Sequence, residues 1–168
     1  MKVISIIGVR HTHILLGALN IMMMLGVNAY GQSKEEKVFD AVPEALRARL
    51  IERLQLYVDY QRTKEYEKLF DLFSETTISK FFNGQSKADF VKAYQSGDAR
   101  GSSSRLIEFT PTDTEKITAD SGAELFVIYG RAKLCEGGKA IEKKRVAIEA
   151  QLQNGDWYFS PIADVVIN

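Results

Sequence analysis

VAIEAQLQNGDWYFSPI, Val146–Ile162, decides the fold of this chain. Asn154-Gly155 lies between two alternating runs, and both residues tolerate the positive φ that a two-residue hairpin turn requires. A turn there sets Leu152 opposite Trp157, Ala150 opposite Phe159 and Ile148 opposite Pro161. Side chains in a strand alternate between faces, so these six share one face. Pro161 is tolerable in such a ladder only beside an edge or a bulge.

Upstream, Gly137-Gly138 marks a second hairpin, joining AELFVIYGRAKLC to AIEKKRVAIEAQLQ. Counting outward from it places Leu134 opposite Ile141, Lys133 opposite Glu142 and Tyr129 opposite Val146. One face then collects Leu125, Val127, Tyr129, Val146, Ile148, Ala150, Leu152, Trp157 and Phe159, and reads as a core face. The other carries Phe126, Ile128, Ala132, Leu134, Ala147, Tyr158 and Ile162 among polar residues. That mixture fits a second subunit docking through Phe126, Ile128, Leu134, Tyr158 and Ile162, or a half-wet monomer face. SSRLIEFTPT and EKITAD read as earlier strands.

The first half reads as helices. Leu46, Leu50, Leu54, Tyr57 and Val58 recur at helical spacing after Pro43, with Arg49, Glu52 and Arg53 on the opposite side. Thr63 can cap a second helix carrying Tyr66, Leu69, Phe70 and Phe73. A third starts at Ser86, with Asp89 completing a capping-box-like pattern, and stops at Gly97. TTISKFF, Thr76–Phe82, reads as short and β-prone. Helices first and an antiparallel meander afterwards give an α+β class: a cone of three N-terminal helices packed on a strongly bent, mostly antiparallel sheet.

Taken together, the long first helix, EYEKLFDLFS, the capped SKADFVKAY and a sheet ending in NGDWYFSPI make the chain resemble the nuclear transport factor 2-like (SnoaL-like) superfamily. The likeness covers roughly Ala41 to Asn168. It implies a pocket between helices and sheet, and it leaves function open, because that superfamily holds isomerases, dehydratases and hydrolases beside non-catalytic binding and assembly domains.

The N-terminus reads as an address. Lys2 and Arg10 are the only charges before Lys34, an apolar run extends from Ile14 to Val27, and small residues follow at Ala29 and Gly31. This is the pattern of a secretory signal peptide over residues 1–29, cleaved after Ala29 or Gly31, with 30–41 as a flexible lead-in and 42–168 as the domain. The run is shorter than the roughly 20 residues of a permanent span. Contact with a membrane is therefore expected only through an uncleaved leader. Export to the periplasm or medium would remove His11 and His13, the only two histidines. Imidazole-based nucleophile systems and imidazole metal ligands are then excluded. What remains is roughly 140 residues, one domain's length. The 22 basic and 22 acidic residues balance, and losing Lys2 and Arg10 leaves a slight acidic excess, which is no nucleic-acid signature. Cys135, the single cysteine, has no internal disulfide partner.

On the derived face Leu125 and Val127 give way to Tyr129, then Arg131 and Lys133, with Glu142 and Lys144 beside them. An apolar cone with a cationic, tyrosine-flanked mouth suits a small amphipathic anion, held by Arg131 as a bidentate partner. The plainer alternative is a solvated hairpin with cross-paired charges. Tyr57, Tyr66, Tyr129, Arg131, Trp157 and Phe159 are the candidate ligand-binding residues, with core packing the competing role for the aromatics. The resemblance raises aspartate–tyrosine acid–base chemistry with Tyr57, Tyr60, Tyr66 or Tyr129. No carboxylate falls among apolar neighbours on the core face, so no catalytic residue is assigned and no cofactor or metal is called for. The sequence thus points to an exported, non-catalytic small-ligand-binding or assembly module. A cofactor-free isomerase or hydrolase is the competing class.

Overall fold

A computed structural model describes residues 37–119 and 122–164. The expected leader, residues 1–29, lies outside them. Within the described residues four whole helices come first: α1 (Glu44–Thr63), α2 (Tyr66–Phe70), α3 (Glu75–Phe82) and α4 (Lys87–Ala99). The strands follow: β1 (Ser104–Thr118), β2 (Glu124–Glu136), β3 (Lys139–Gln153), β4 (Asp156–Phe159) and β5 (Ala163–Asp164). The sheet is curved and antiparallel, ordered β1-β2-β3-β4, with β5 also paired to β3. The class is α+β, as expected.

Helix α1 turns Leu50, Leu54, Tyr57, Val58 and Gln61 inward, the spacing that one buried helical stripe demands. It ends with Lys64 in the left-handed region. Ser86 caps α4 by accepting the Asp89 N–H, while its hydroxyl donates to the Asp89 carboxylate at 2.6 Å. Helix α4 runs two residues past the expected stop at Gly97, which is buried inside it. Phe39, within the expected lead-in, is 2 % exposed and belongs to the core.

TTISKFF is not a strand segment but most of α3. Ser74 accepts the Thr77 N–H, Glu75 sits in the positive first turn, and Asn83 closes the helix in the left-handed region. Ile78 and Phe82, one turn apart, pack against the core. Burial of that side outweighs the β preference of Thr76, Thr77 and Ile78.

The Asn154-Gly155 hairpin has the expected register: Leu152 faces Trp157 and Ala150 faces Phe159. Both turn residues have positive φ, 53° and 83°. The indole of Trp157 is fully buried, edge-on to Phe126, with its N–H reaching the Leu46 carbonyl at 3.4 Å. Arg49 and Arg53 of α1 each reach Asp156 at 3.2 Å, fastening the turn to the helix. Pro161 does not pair with Ile148. The β3–β4 ladder ends at Phe159, and the chain gains a residue before β5 pairs with Val146 and Ala147.

The β2 assignment of inside and outside needs correction. Next to the Gly137-Gly138 turn, Leu134 faces Ile141 and Lys133 faces Glu142, as expected. Between Ala132↔Lys143 and Gly130↔Val146, however, β3 holds two residues, Lys144 and Arg145, against the single Arg131 of β2. This β-bulge shifts every later pair by one, so Ile148 faces Ile128 and Ala147 faces Tyr129. Phe126, Ile128, Ala132 and Leu134 therefore join Val146, Ile148, Ala150, Trp157 and Phe159 in the core, and Leu125, Val127 and Tyr129 lie on the opposite face of the sheet. Leu152, expected inside, is 37 % exposed near the turn. Of the residues expected to form a docking face, Phe126, Ile128 and Leu134 are buried and Ile162 packs against the core, while Tyr158 is half-buried on the other face.

Two further irregularities interrupt β1, with one extra residue between Leu106 and Glu108 and another between Pro111 and Asp113. At Gly130, β1 leaves no room for a side chain on β2. A Cβ there would stand 2.6 Å from the Phe109 ring and 2.6 Å from the Thr110 carbonyl oxygen.

Candidate functional site

The six residues expected to line one pocket fall in three places. Tyr57, Trp157 and Phe159 are core residues, each at most 1 % exposed. The Tyr57 hydroxyl donates to the Ser160 carbonyl at 3.1 Å, and its ring packs 5.2 Å from Phe159. Burial pushes this hydroxyl far above its ordinary pKa. Phe73, Phe82 and Phe90 continue the aromatic layer, with centroids 5.1–5.7 Å apart. The space between helices and sheet at these residues is thus packed with rings.

Tyr66 belongs to a second group, built around Asp98 of α4. The Tyr66 hydroxyl donates to one Asp98 oxygen and the Ser103 hydroxyl to the other. Lys64 approaches at 3.1 Å and Arg105 at 3.3 Å. Burial alone would raise the Asp98 carboxyl. The hydrogen bonds from Ser103, Tyr66 and Lys64 and the Arg105 charge outweigh it and hold the group below its usual range. Tyr66 moves the opposite way, raised first by burial and then by its bond to Asp98. A carboxylate held ionised by two cations is a poor proton acceptor at neutral pH, since a working base needs its pKa raised towards 7. This tyrosine–aspartate contact ties α2, α4 and the start of β1 together. No local pattern announces it, because its members span Lys64 to Arg105 and meet only in three dimensions.

Tyr129 and Arg131 lie on the outer face of β2. That face runs Leu125, Val127, Tyr129, Arg131, Lys133, the order expected for a pocket wall, now on the side of the sheet opposite the core. Val127 is only 8 % exposed although it is not part of the helix-facing core. Glu115 and Glu149 are its partners across the two ladders. Tyr129 donates to Glu115 at 3.1 Å and carries the Arg145 guanidinium 5.0 Å from its ring centre. At the bulge, Arg131, Lys133, Lys143 and Lys144 line a depression of about 570 Å³ with Glu108, Thr110 and Glu142. Lys133 approaches Glu108 at 3.6 Å and Lys143 pairs with Asp164 at 2.9 Å. Arg131 and Lys144 have no carboxylate partner among the described residues. The bulge is what gathers these charges, since it sets Lys144 and Arg145 together against Arg131.

At the opposite end of the face, α3 stands over the sheet and encloses a groove of about 330 Å³. Lys80 and Phe81 form its helical wall, and Leu125, Glu149, Gln151 and Tyr158 its sheet wall. Reading TTISKFF as β-prone hid this wall. The signal that reveals it is Ser74 followed by Glu75, with Ile78, Phe81 and Phe82 at helical spacing.

Among the described residues, no three His, Cys, Asp or Glu side chains converge as metal ligands would, and no helix is long and apolar enough to cross a membrane. Neither a family model nor a curated protein matches this chain.

Proposed function

We propose that the chain is an exported, non-catalytic binding or assembly module of nuclear transport factor 2-like build, and that it takes a small amphipathic anion on the outer sheet face. One observation carries the reading: a single face of β2 passes from Leu125, Val127 and Tyr129 into Arg131 and the bulge, where Arg131 and Lys144 have no described counter-ion. Arg131 and Lys144 line the depression without an ion pair of their own, and an anionic head group there would supply one. The Arg131 fork suits a carboxylate or similar head bidentately, and the apolar strip takes the tail. The competing reading, a cofactor-free isomerase or hydrolase, draws on the Tyr66–Asp98 contact. Two cations holding Asp98 ionised argue against it.

Titration calorimetry with decanoate and with uncharged decanol tests the proposal. Decanoate binds, decanol binds at least about tenfold more weakly, and R131A and K144A each weaken decanoate while raised salt weakens it further. Equal binding of the two probes, or an R131A titration identical to the parent, sinks the reading.

A further inference from the structure

The groove beneath α3 holds two charges of opposite sign that no described residue neutralises. Lys80 approaches only the Phe81 ring, at 5.0 Å. Glu149 is half-buried and engaged through its backbone alone, its N–H donating to Ser160 Oγ at 3.2 Å and its carbonyl accepting the Ser160 N–H at 2.9 Å. The ammonium sits on the helical wall and the carboxylate on the sheet wall, and they do not reach each other. Between them lie apolar surfaces: Leu125, Tyr158 and Phe81, which is 44 % exposed. The Tyr158 ring is backed by the Arg53 guanidinium at 5.8 Å.

Opposed charges on two walls of one groove, unpaired with each other, complement a molecule carrying both charges on a small apolar body. Such a ligand forms a charge-assisted hydrogen bond at each wall. A volume of about 330 Å³ is at the small end of ligand sites. A dipolar head with one large side chain fits that space better than an extended chain. We propose that this groove binds a free amino acid with a large apolar side chain. Its ammonium goes to Glu149, its carboxylate to Lys80, and its side chain to Phe81 and Leu125. The site does not depend on the anion reading, because Leu125 and Arg131 are separated by roughly 20 Å along β2.

Calorimetry on the full chain with L-phenylalanine, N-acetyl-L-phenylalanine and L-phenylalaninamide tests it. Phenylalanine binds, and each blocked analogue binds about tenfold more weakly, since each loses one charge-assisted bond. E149Q abolishes the preference for the free amine alone, and K80Q the preference for the free carboxylate alone. Both variants keep the parent's unfolding midpoint, because neither side chain has a described hydrogen-bond partner, and R131A leaves phenylalanine binding unchanged. Blocked analogues that bind as tightly as phenylalanine, no binding of phenylalanine at millimolar concentration, or preferences unaltered in E149Q and K80Q overturn the proposal.

Discussion

Replacing Gly130 by alanine separates the observed strand register from its nearest rival by sign. In an ordinary strand position, glycine to alanine stabilises by about 0.5–1 kcal/mol, because the unfolded chain loses freedom. In the register without a bulge, residue 130 would face outward and the substitution would bring that gain. In the observed register the new methyl points inward, 2.6 Å from the Phe109 ring and 2.6 Å from the Thr110 carbonyl oxygen. The ring can swing aside. The carbonyl belongs to the β1 backbone and moves only by distorting the ladder. Overpacking of this kind costs about 1–3 kcal/mol. Set against the glycine gain, G130A should lose about 1–2 kcal/mol. Urea unfolding followed by circular dichroism reads this as a lower midpoint at unchanged slope. Adding F109A relieves the ring contact but not the carbonyl contact, so the double mutant should show coupling of at least about 0.5 kcal/mol. A G130A protein as stable as the parent, or more so, would refute the bulge and return Tyr129 to the interior.

Two other measurements bear on the core and on the Asp98 cluster. D98N should destabilise at neutral pH by about 2–3 kcal/mol, since Arg105 and Lys64 lose their counter-charge while Tyr66 keeps an acceptor. Because the folded Asp98 pKa is depressed, its contribution is fully present above the ordinary carboxylate value of 3.8 and fades as pH falls through the lower folded value. Acid titration of stability should therefore show the parent converging on D98N below pH 4, and parallel curves would remove Asp98 from the account. Trp157, the only tryptophan, should emit at short wavelength and resist acrylamide quenching until the protein unfolds; emission typical of free indole in the native state would reverse the inside and outside of β4.

What the sequence made legible was whatever depends on near neighbours. The α1 stripe, the Ser86 cap and the Asn154-Gly155 turn each rest on contacts within a few residues, and each lies where the pattern placed it. The β2 face was lost because one extra residue in a strand leaves almost no mark on alternation and inverts everything beyond it. Gly130 was that mark, since a glycine inside a strand often signals a bulge or a close approach. Helix α3 was lost to the β-branched residues of TTISKFF, although the Ser74 cap was in plain view. The pairing of Lys133 with Glu142 was readable because it lies between the turn and the bulge, where the register still holds, whereas Arg131 sits at the bulge itself. The Lys80–Glu149 groove was not, because its two walls come from elements far apart in the chain and one of them had been read as the wrong kind of structure.

The two extra residues in β1 carry a consequence for how copies of this protein can meet. An outermost strand that is long and regular offers a template on which another chain can crystallise as the next strand, the first step towards fibres. Here that template is broken into three short lengths out of phase with one another, and charged Glu108, Asp113, Glu115 and Lys116 stand along it. At the other margin, the Phe159 amide is taken up by the Leu72 carbonyl. Both features work against growth of the sheet from one molecule into the next. Such edges favour association through side chains on a broad surface over shared backbone.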